Sequence, residues 1–121
     1  MRILVADDSA GVRRGVLDIL AWDGNHEGCG EAKDGPDAIQ KAKDLKPDLV
    51  LLDISMPGLN GLEVARRLRE EIPGTAIVII SQHDSSWLMA SAREAGAHAC
   101  VDKSRLGTDL LPTIASLQKL S

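Results

Sequence analysis

The chain has 121 residues, 44% hydrophobic and 26% charged, with a formal net charge of -4, which suits one globular domain with a real core. The acidic balance and the lack of a basic stripe exclude direct nucleic-acid binding by this chain, and Arg13-Arg14 and Arg66-Arg67-Arg69 read as solvated helix faces. No apolar run approaches the roughly 20 residues of a membrane span, and Met1-Arg2 leads into a strand pattern instead of a signal peptide, so a cytoplasmic protein without a membrane role is expected.

Strand one is expected over Arg2 to Ala6 and ends on Asp7 and Asp8. Helix one follows Ser9, a good N-cap, with Val12, Val16, Ile19 and Leu20 on one face. Strand two, roughly His26 to Ala32, is polar enough for an edge. Asp34-Gly35-Pro36 opens helix two, whose inner stripe is Ala38, Ala42 and Leu45. Strand three, Leu49 to Asp53, is an unbroken apolar run closed by a carboxylate, as for a strand buried on both faces.

Asn60 and Glu63 resemble a capping box for helix three, which turns Ala65, Leu68 and Ile72 inward and ends at Pro73-Gly74. Strand four is Ala76 to Ile80, with Ser81 at its end. Helix four runs from about Ser86 to Ala95 and stops at Gly96; Trp87 is read as half-buried packing. Strand five covers Ala99 to Val101, and Lys103 lies just past it. Helix five is expected after about Thr108, with Leu110, Ile114, Leu117 and Leu120 inward and Pro112 confined to its first turn. With no Phe or Tyr, and only Trp22 and Trp87 as aromatics, the core must be aliphatic.

Strands alternating with helices give an α/β fold, (βα)5, with helices on both faces of a parallel five-stranded sheet; the order 2-1-3-4-5 is borrowed from flavodoxin-like folds of the same element pattern. All strands then point their C-terminal ends one way, and Asp7, Asp8, Asp53, Ser81 and Lys103 converge on one sheet edge. Strands one and three are neighbours about 5 Å apart, so their acids are placed to share one cation.

With those residues in place, the chain resembles a response-regulator receiver domain of two-component signalling. The similarity runs from about Arg2 to Leu120, the whole chain reading as one domain over residues 1–121. The opening Ile3-Leu4-Val5-Ala6-Asp7-Asp8-Ser9, followed by Val12-Arg13-Arg14-Gly15, is most similar to receivers of the NarL/LuxR type. The resemblance makes Asp53 the phospho-acceptor, within a Met56-Pro57-x-x-x-Gly61 loop, matches Asp7 and Asp8 to the acidic pair, and gives Ser81 and Lys103 to the phosphoryl oxygens. It implies Mg²⁺ held by Asp8, Asp53 and the Ser55 backbone carbonyl, with Asp7 acting through a bound water. Its implied donor is a sensor histidine kinase or a phosphotransfer protein. Its implied readers are a downstream protein or a fused output domain, with a phosphorylation-dependent dimer as a further outcome. Such a domain is no enzyme beyond its own phosphorylation and dephosphorylation. A stand-alone receiver and the front of a longer regulator are both compatible with the sequence.

Two positions depart from the pattern. Cys100 stands where receivers usually carry Tyr or Phe, so the usual aromatic switch is missing, and Ala99 replaces a common glycine. Cys29 and Cys100 are too few for a disulfide framework and fall on opposite sheet edges, about 19 Å apart by strand spacing, against a disulfide limit of about 7 Å. Both are expected to be small buried hydrophobes. His83 lies where the family tunes the lifetime of the phosphorylated form; His26 and His98 are expected in ordinary surface roles. Two other readings stand beside the receiver. A scaffold that binds partners without phosphorylation is motivated by Cys100. A flavin carrier would need a Ser/Thr/Gly-rich loop after strand one, where Asp7-Asp8 would instead repel phosphate.

Overall fold

Each unbroken apolar run forms a strand, and each segment of 3.6-residue period forms a helix laid against the sheet. A computed structural model describes residues 1–58, 60–82 and 86–118, with the side chains of residues 86 and 87 left aside. His83, Leu120 and the Trp87 side chain lie outside that description. The described elements run β1 (Arg2–Ala6), α1 (Ala10–Asp23), β2 (Glu27–Ala32), α2 (Gly35–Leu45), β3 (Leu49–Asp53), α3 (Gly61–Glu71), β4 (Ala76–Ser81), α4 (Ser86–Glu94), β5 (Ala99–Asp102) and α5 (Leu106–Gln118), with a 3-10 turn over Lys103–Arg105 before α5.

The sheet order is β2-β1-β3-β4-β5, every pair being parallel. Side-chain alternation sorts the core into two layers. Leu4, Ala6, Val50, Leu52, Ile77 and Ile79 meet α2, α3 and α4 through Ala38, Ala42, Val64, Ala65, Leu68 and Ala92. Ile3, Val5, Leu49, Leu51, Val78, Ile80 and Val101 meet α1 and α5 through Val16, Leu20, Leu110 and Ile114. The described core is aliphatic throughout. Small alanines on the α2 and α3 faces let the helix backbones lie close to bulky sheet residues.

The expected caps form. The Ser9 side chain accepts from Val12 N, Asp34 from Asp37 N and Asn60 from Glu63 N. After α4, Gly96 takes φ +99°, Gly96 N donates to the Arg93 carbonyl and Ala97 N to the Ala92 carbonyl, a Schellman ending that favours glycine. β2 begins at Glu27, one residue later than expected, and pairs with β1 alone. Its register skips Cys29 between Ile3↔Gly28 and Leu4↔Gly30, a bulge at the edge.

Helix five departs from expectation. It begins at Leu106, so Pro112 sits inside the helix and past the first turn. The 3-10 turn capped by Asp102 starts the helical winding early. Pro112 leaves the carbonyl of Thr108 without its helix partner, and Thr108 is exposed, so water is at hand for that carbonyl.

Candidate functional site

Parallel strands bring their C-terminal ends to one edge, and four of the sequence-selected side chains meet there. Asp7 follows β1 directly and is fully buried; Asp53, the last residue of β3, is 2% exposed. Lys103 follows β5 and reaches across the strand ends. Its Nζ lies 2.8 Å from Asp7 Oδ2 and 3.3 Å from Asp53 Oδ2. Two buried carboxylates thus share one ammonium. Asp8 is exposed at the mouth, and ligand oxygens of Asp7, Asp8 and Asp53 all lie within 4.8 Å of one another.

Each carboxylate is also held by backbone. Asp7 Oδ1 accepts from Ser9 N at 2.8 Å and Asp53 Oδ1 accepts from Ser55 N at 3.1 Å. That leaves each Oδ2 facing the ammonium. Asp7 Oδ2 is buried and has no aligned hydrogen bond; its counterpart is the charge of Lys103. Ser81 closes β4 with 3% exposure. The register Asp53↔Ile80 sets it one step beyond the residue that pairs with Asp53, on the adjacent strand.

The loop after β3 is shaped by close approach. Gly61, at the start of α3, donates from its N–H to the Ile54 carbonyl, and a Cβ there would lie 2.6 Å from both Asp53 O and Ile54 Cα. Glycine lets the helix start pack on the backbone that carries Asp53.

The electrostatics follow from these distances. Burial raises the Asp53 pKa, the Ser55 N–H opposes it, Asp7 adds to the rise and Lys103 counters it; the net direction is up. Burial pulls Lys103 down, but its close pairing with Asp7 and the negative charges of Asp53 and Asp7 outweigh burial, and its pKa is raised. Three carboxylates against one ammonium leave the cluster two negative charges in excess. An all-oxygen donor set with that excess fits a hard divalent cation such as Mg²⁺.

Among the other selected residues, Cys100 is a partly buried thiol packed against the α2–α3–α4 layer. Cys29 is also partly buried and free, on the opposite edge strand. Both are less buried than the sequence suggested, because β2 and β5 are the two edges. Burial raises the Cys29 pKa. His26 faces Asp23 at 3.6 Å, and His98 Nδ1 accepts from Ile77 N at 3.1 Å. His83 lies outside the described residues.

One residue was misjudged from sequence. Arg13 is not a solvated charge: its side chain is 17% exposed, and Nη1 donates to the Asp7 carbonyl at 2.6 Å. The signal available was its position one helical turn after the Ser9 cap, on the side of α1 that faces the acidic loop.

Comparison with known proteins bears on the family and the fold. The family model for the response regulator receiver domain matches residues 3–115. The chain is 36% identical over 96 residues to the chemotaxis protein CheY of Thermotoga maritima, covering 79% of each. It is 42% identical over 106 residues to protein-glutamate methylesterase/protein-glutamine glutaminase 4 of Myxococcus xanthus, covering 85% of this chain and 30% of that protein. A two-component response regulator of the LuxR family from Aurantimonas superposes with a TM-score of 0.91 at 30% identity, covering 96% of this chain and 83% of that one. The chain therefore spans under a third of the length of that methylesterase relative. Among the described residues no helix is long and apolar enough to cross a membrane.

Proposed function

This chain belongs to the response regulator receiver family of two-component signalling, in which phosphorylation of an aspartate is the general mechanism, and we propose that Asp53 is its acceptor. The observation that carries the reading is the buried Asp53–Lys103–Asp7 arrangement with Asp8 at its mouth. A phosphohistidine on a sensor kinase or phosphotransfer protein is the donor. An Asp53 carboxylate oxygen attacks phosphorus, an acyl-phosphate P–O bond forms, the P–N bond breaks and its electron pair returns to the imidazole.

Asp53 must be ionised to attack, so the rise in its pKa works against the reaction until neighbouring charge offsets it. Lys103 pairs with one phosphoryl oxygen and the Ser81 hydroxyl donates to another. Receiver domains in general bind Mg²⁺. Here Asp8, Asp53 and the Ser55 carbonyl would hold it, with Asp7 acting through a bound water. When bound, the cation supplies charge neutralisation for the phosphoryl oxygens. The catalysis is confined to the domain's own phosphorylation and dephosphorylation, with His83 tuning the lifetime of the phosphorylated form.

The output surface of this reading is the face of α4, β5 and α5, read by a downstream protein, a fused output domain or a second phosphorylated copy. All 121 residues form one receiver unit in this reading. A second reading, partner binding without phosphorylation, draws on Cys100, which lacks the bulk of the aromatic that swings inward in receivers. Treatment with acetyl phosphate and Mg²⁺, followed by intact mass, separates the two. A metal-dependent gain of one phosphoryl group, absent in Asp53→Ala, supports the acceptor. No gain by the folded protein supports the scaffold.

A further inference from the structure

We propose that Arg13 is a positioning residue for the metal-binding carboxylates, clamped in turn by Glu31 of the edge strand. The inference rests on the reading of the acid cluster as a cation site. Arg13 Nη1 donates to the Asp7 carbonyl at 2.6 Å, and its Nε donates to Glu31 Oε1 at 3.0 Å. The Asp7 carbonyl belongs to the peptide unit that joins Asp7 to Asp8, so fixing that oxygen fixes the plane from which the Asp8 side chain departs. On the other side, Asp7 N donates to the Ala32 carbonyl at 3.0 Å. The acidic loop is therefore held from both flanks, by an α1 guanidinium and by the end of β2.

Glu31 is suited to anchor the arginine. It lies on β2, next to Ala32, and its backbone carbonyl accepts from Lys41 Nζ at 2.5 Å. The guanidinium is planar and presents donors in a fixed fork, so one arginine joins two acceptors that a lysine could not span in the same geometry. The network runs from α2 through Lys41, Glu31 and Arg13 to the Asp7–Asp8 peptide. Asp8 is exposed and has little packing of its own to orient it, so its placement depends on this peptide. Groups that orient metal ligands from behind typically change metal affinity by about 10- to 100-fold when removed.

The test uses Mn²⁺ as the probe, by titration calorimetry on the full chain, with Arg13→Met, Arg13→Lys, Glu31→Gln and the exposed neighbour Arg14→Ala. Arg13→Met is expected to weaken Mn²⁺ binding by about 10- to 100-fold. Arg13→Lys and Glu31→Gln are expected to weaken it less, and Arg14→Ala not at all. In acetyl phosphate reactions Arg13→Met should need more Mg²⁺ for half-maximal rate yet reach the rate of the unmodified chain at saturation, which a general loss of structure would not give. Should Arg13→Met fail to fold, Arg13→Lys carries the test, because a lysine cannot span the Asp7 carbonyl and Glu31 in the same geometry. Mn²⁺ affinity unchanged in the folded variants, with normal binding by the unmodified chain, overturns the clamp alone. Absence of Mn²⁺ binding by the unmodified chain overturns the cation site and the clamp together.

Discussion

Replacing Asp53 by Asn should stabilise the metal-free protein, although it removes the proposed acceptor. At an effective dielectric constant of about 20, the attraction of Lys103 for Asp53 at 3.3 Å is worth about 5 kcal/mol. The two other carboxylates, each within 4.8 Å, repel Asp53 by at least about 3.5 kcal/mol apiece on the same scale. Solvent at Asp8 trims its share, while the charge buried at Asp53 adds a desolvation cost of its own. The balance favours the neutral side chain by about 1–2 kcal/mol, or roughly 4–8 °C in melting temperature for a domain of this size. Asn keeps an oxygen to accept from Ser55 N, so the loop is not orphaned.

The pH course follows from the raised pKa. The folded state holds the Asp53 proton more tightly than the unfolded one. The penalty is therefore absent well below the ordinary value of 3.8, grows as pH rises past it and is complete above the folded value. The advantage of Asp53→Asn should track that course. Thermal unfolding by far-UV circular dichroism in a chelator, at pH 4 to 8, measures it. Saturating Mg²⁺ should then raise the unmodified protein, by about 2.7 kcal/mol at 100 times the dissociation constant, and close the gap. An Asn variant that melts at or below the unmodified protein without metal at neutral pH would refute the charge-excess reasoning.

Lys103→Met leaves two buried carboxylates without a counter-charge and should cost about 3–5 kcal/mol without metal, read by urea unfolding. Because the Lys103 pKa is raised, its contribution is full below the ordinary value of 10.5 and is lost as pH rises through the folded value, so alkaline destabilisation should be smaller in Lys103→Met. Gly61→Ala drives a Cβ against the backbone of Asp53 and Ile54; a loss of about 1–3 kcal/mol is expected, together with weaker Mg²⁺ binding in the same melts. Cys29 and Cys100 should both be counted as unoxidised thiols by a thiol reagent in the unfolded protein, and oxidant should leave no intramolecular disulfide detectable by mass.

Fold and site were legible in the sequence for one shared reason. A parallel strand buried on both faces must be apolar throughout, so a carboxylate closing Leu49–Leu52 marks both a strand end and a candidate site. Asp7, Asp53 and Lys103 were readable because strand direction alone decides where they meet. Arg13 was harder, since a helix charge beside acids looks alike whether it faces water or a backbone carbonyl 2.6 Å away, and only its place one turn after the Ser9 cap tells the two apart. The start of helix five was misread because Pro112 suggested a first turn, while the Asp102-capped turn had already begun the winding. The bulge at Cys29 was hidden as well: it moves one residue of pairing without changing the apolar pattern.

An open sheet has two free edges, each a template on which another chain could add a strand. Here both edges are poor templates. β5 has four residues, and β2 is kinked by its bulge and carries Glu27 and Glu31 beside two glycines. Backbone-to-backbone extension of this sheet, between copies or with a foreign peptide, is thereby disfavoured. Recognition is left to helix faces and strand-end loops, and self-association through sheet edges does not compete with it.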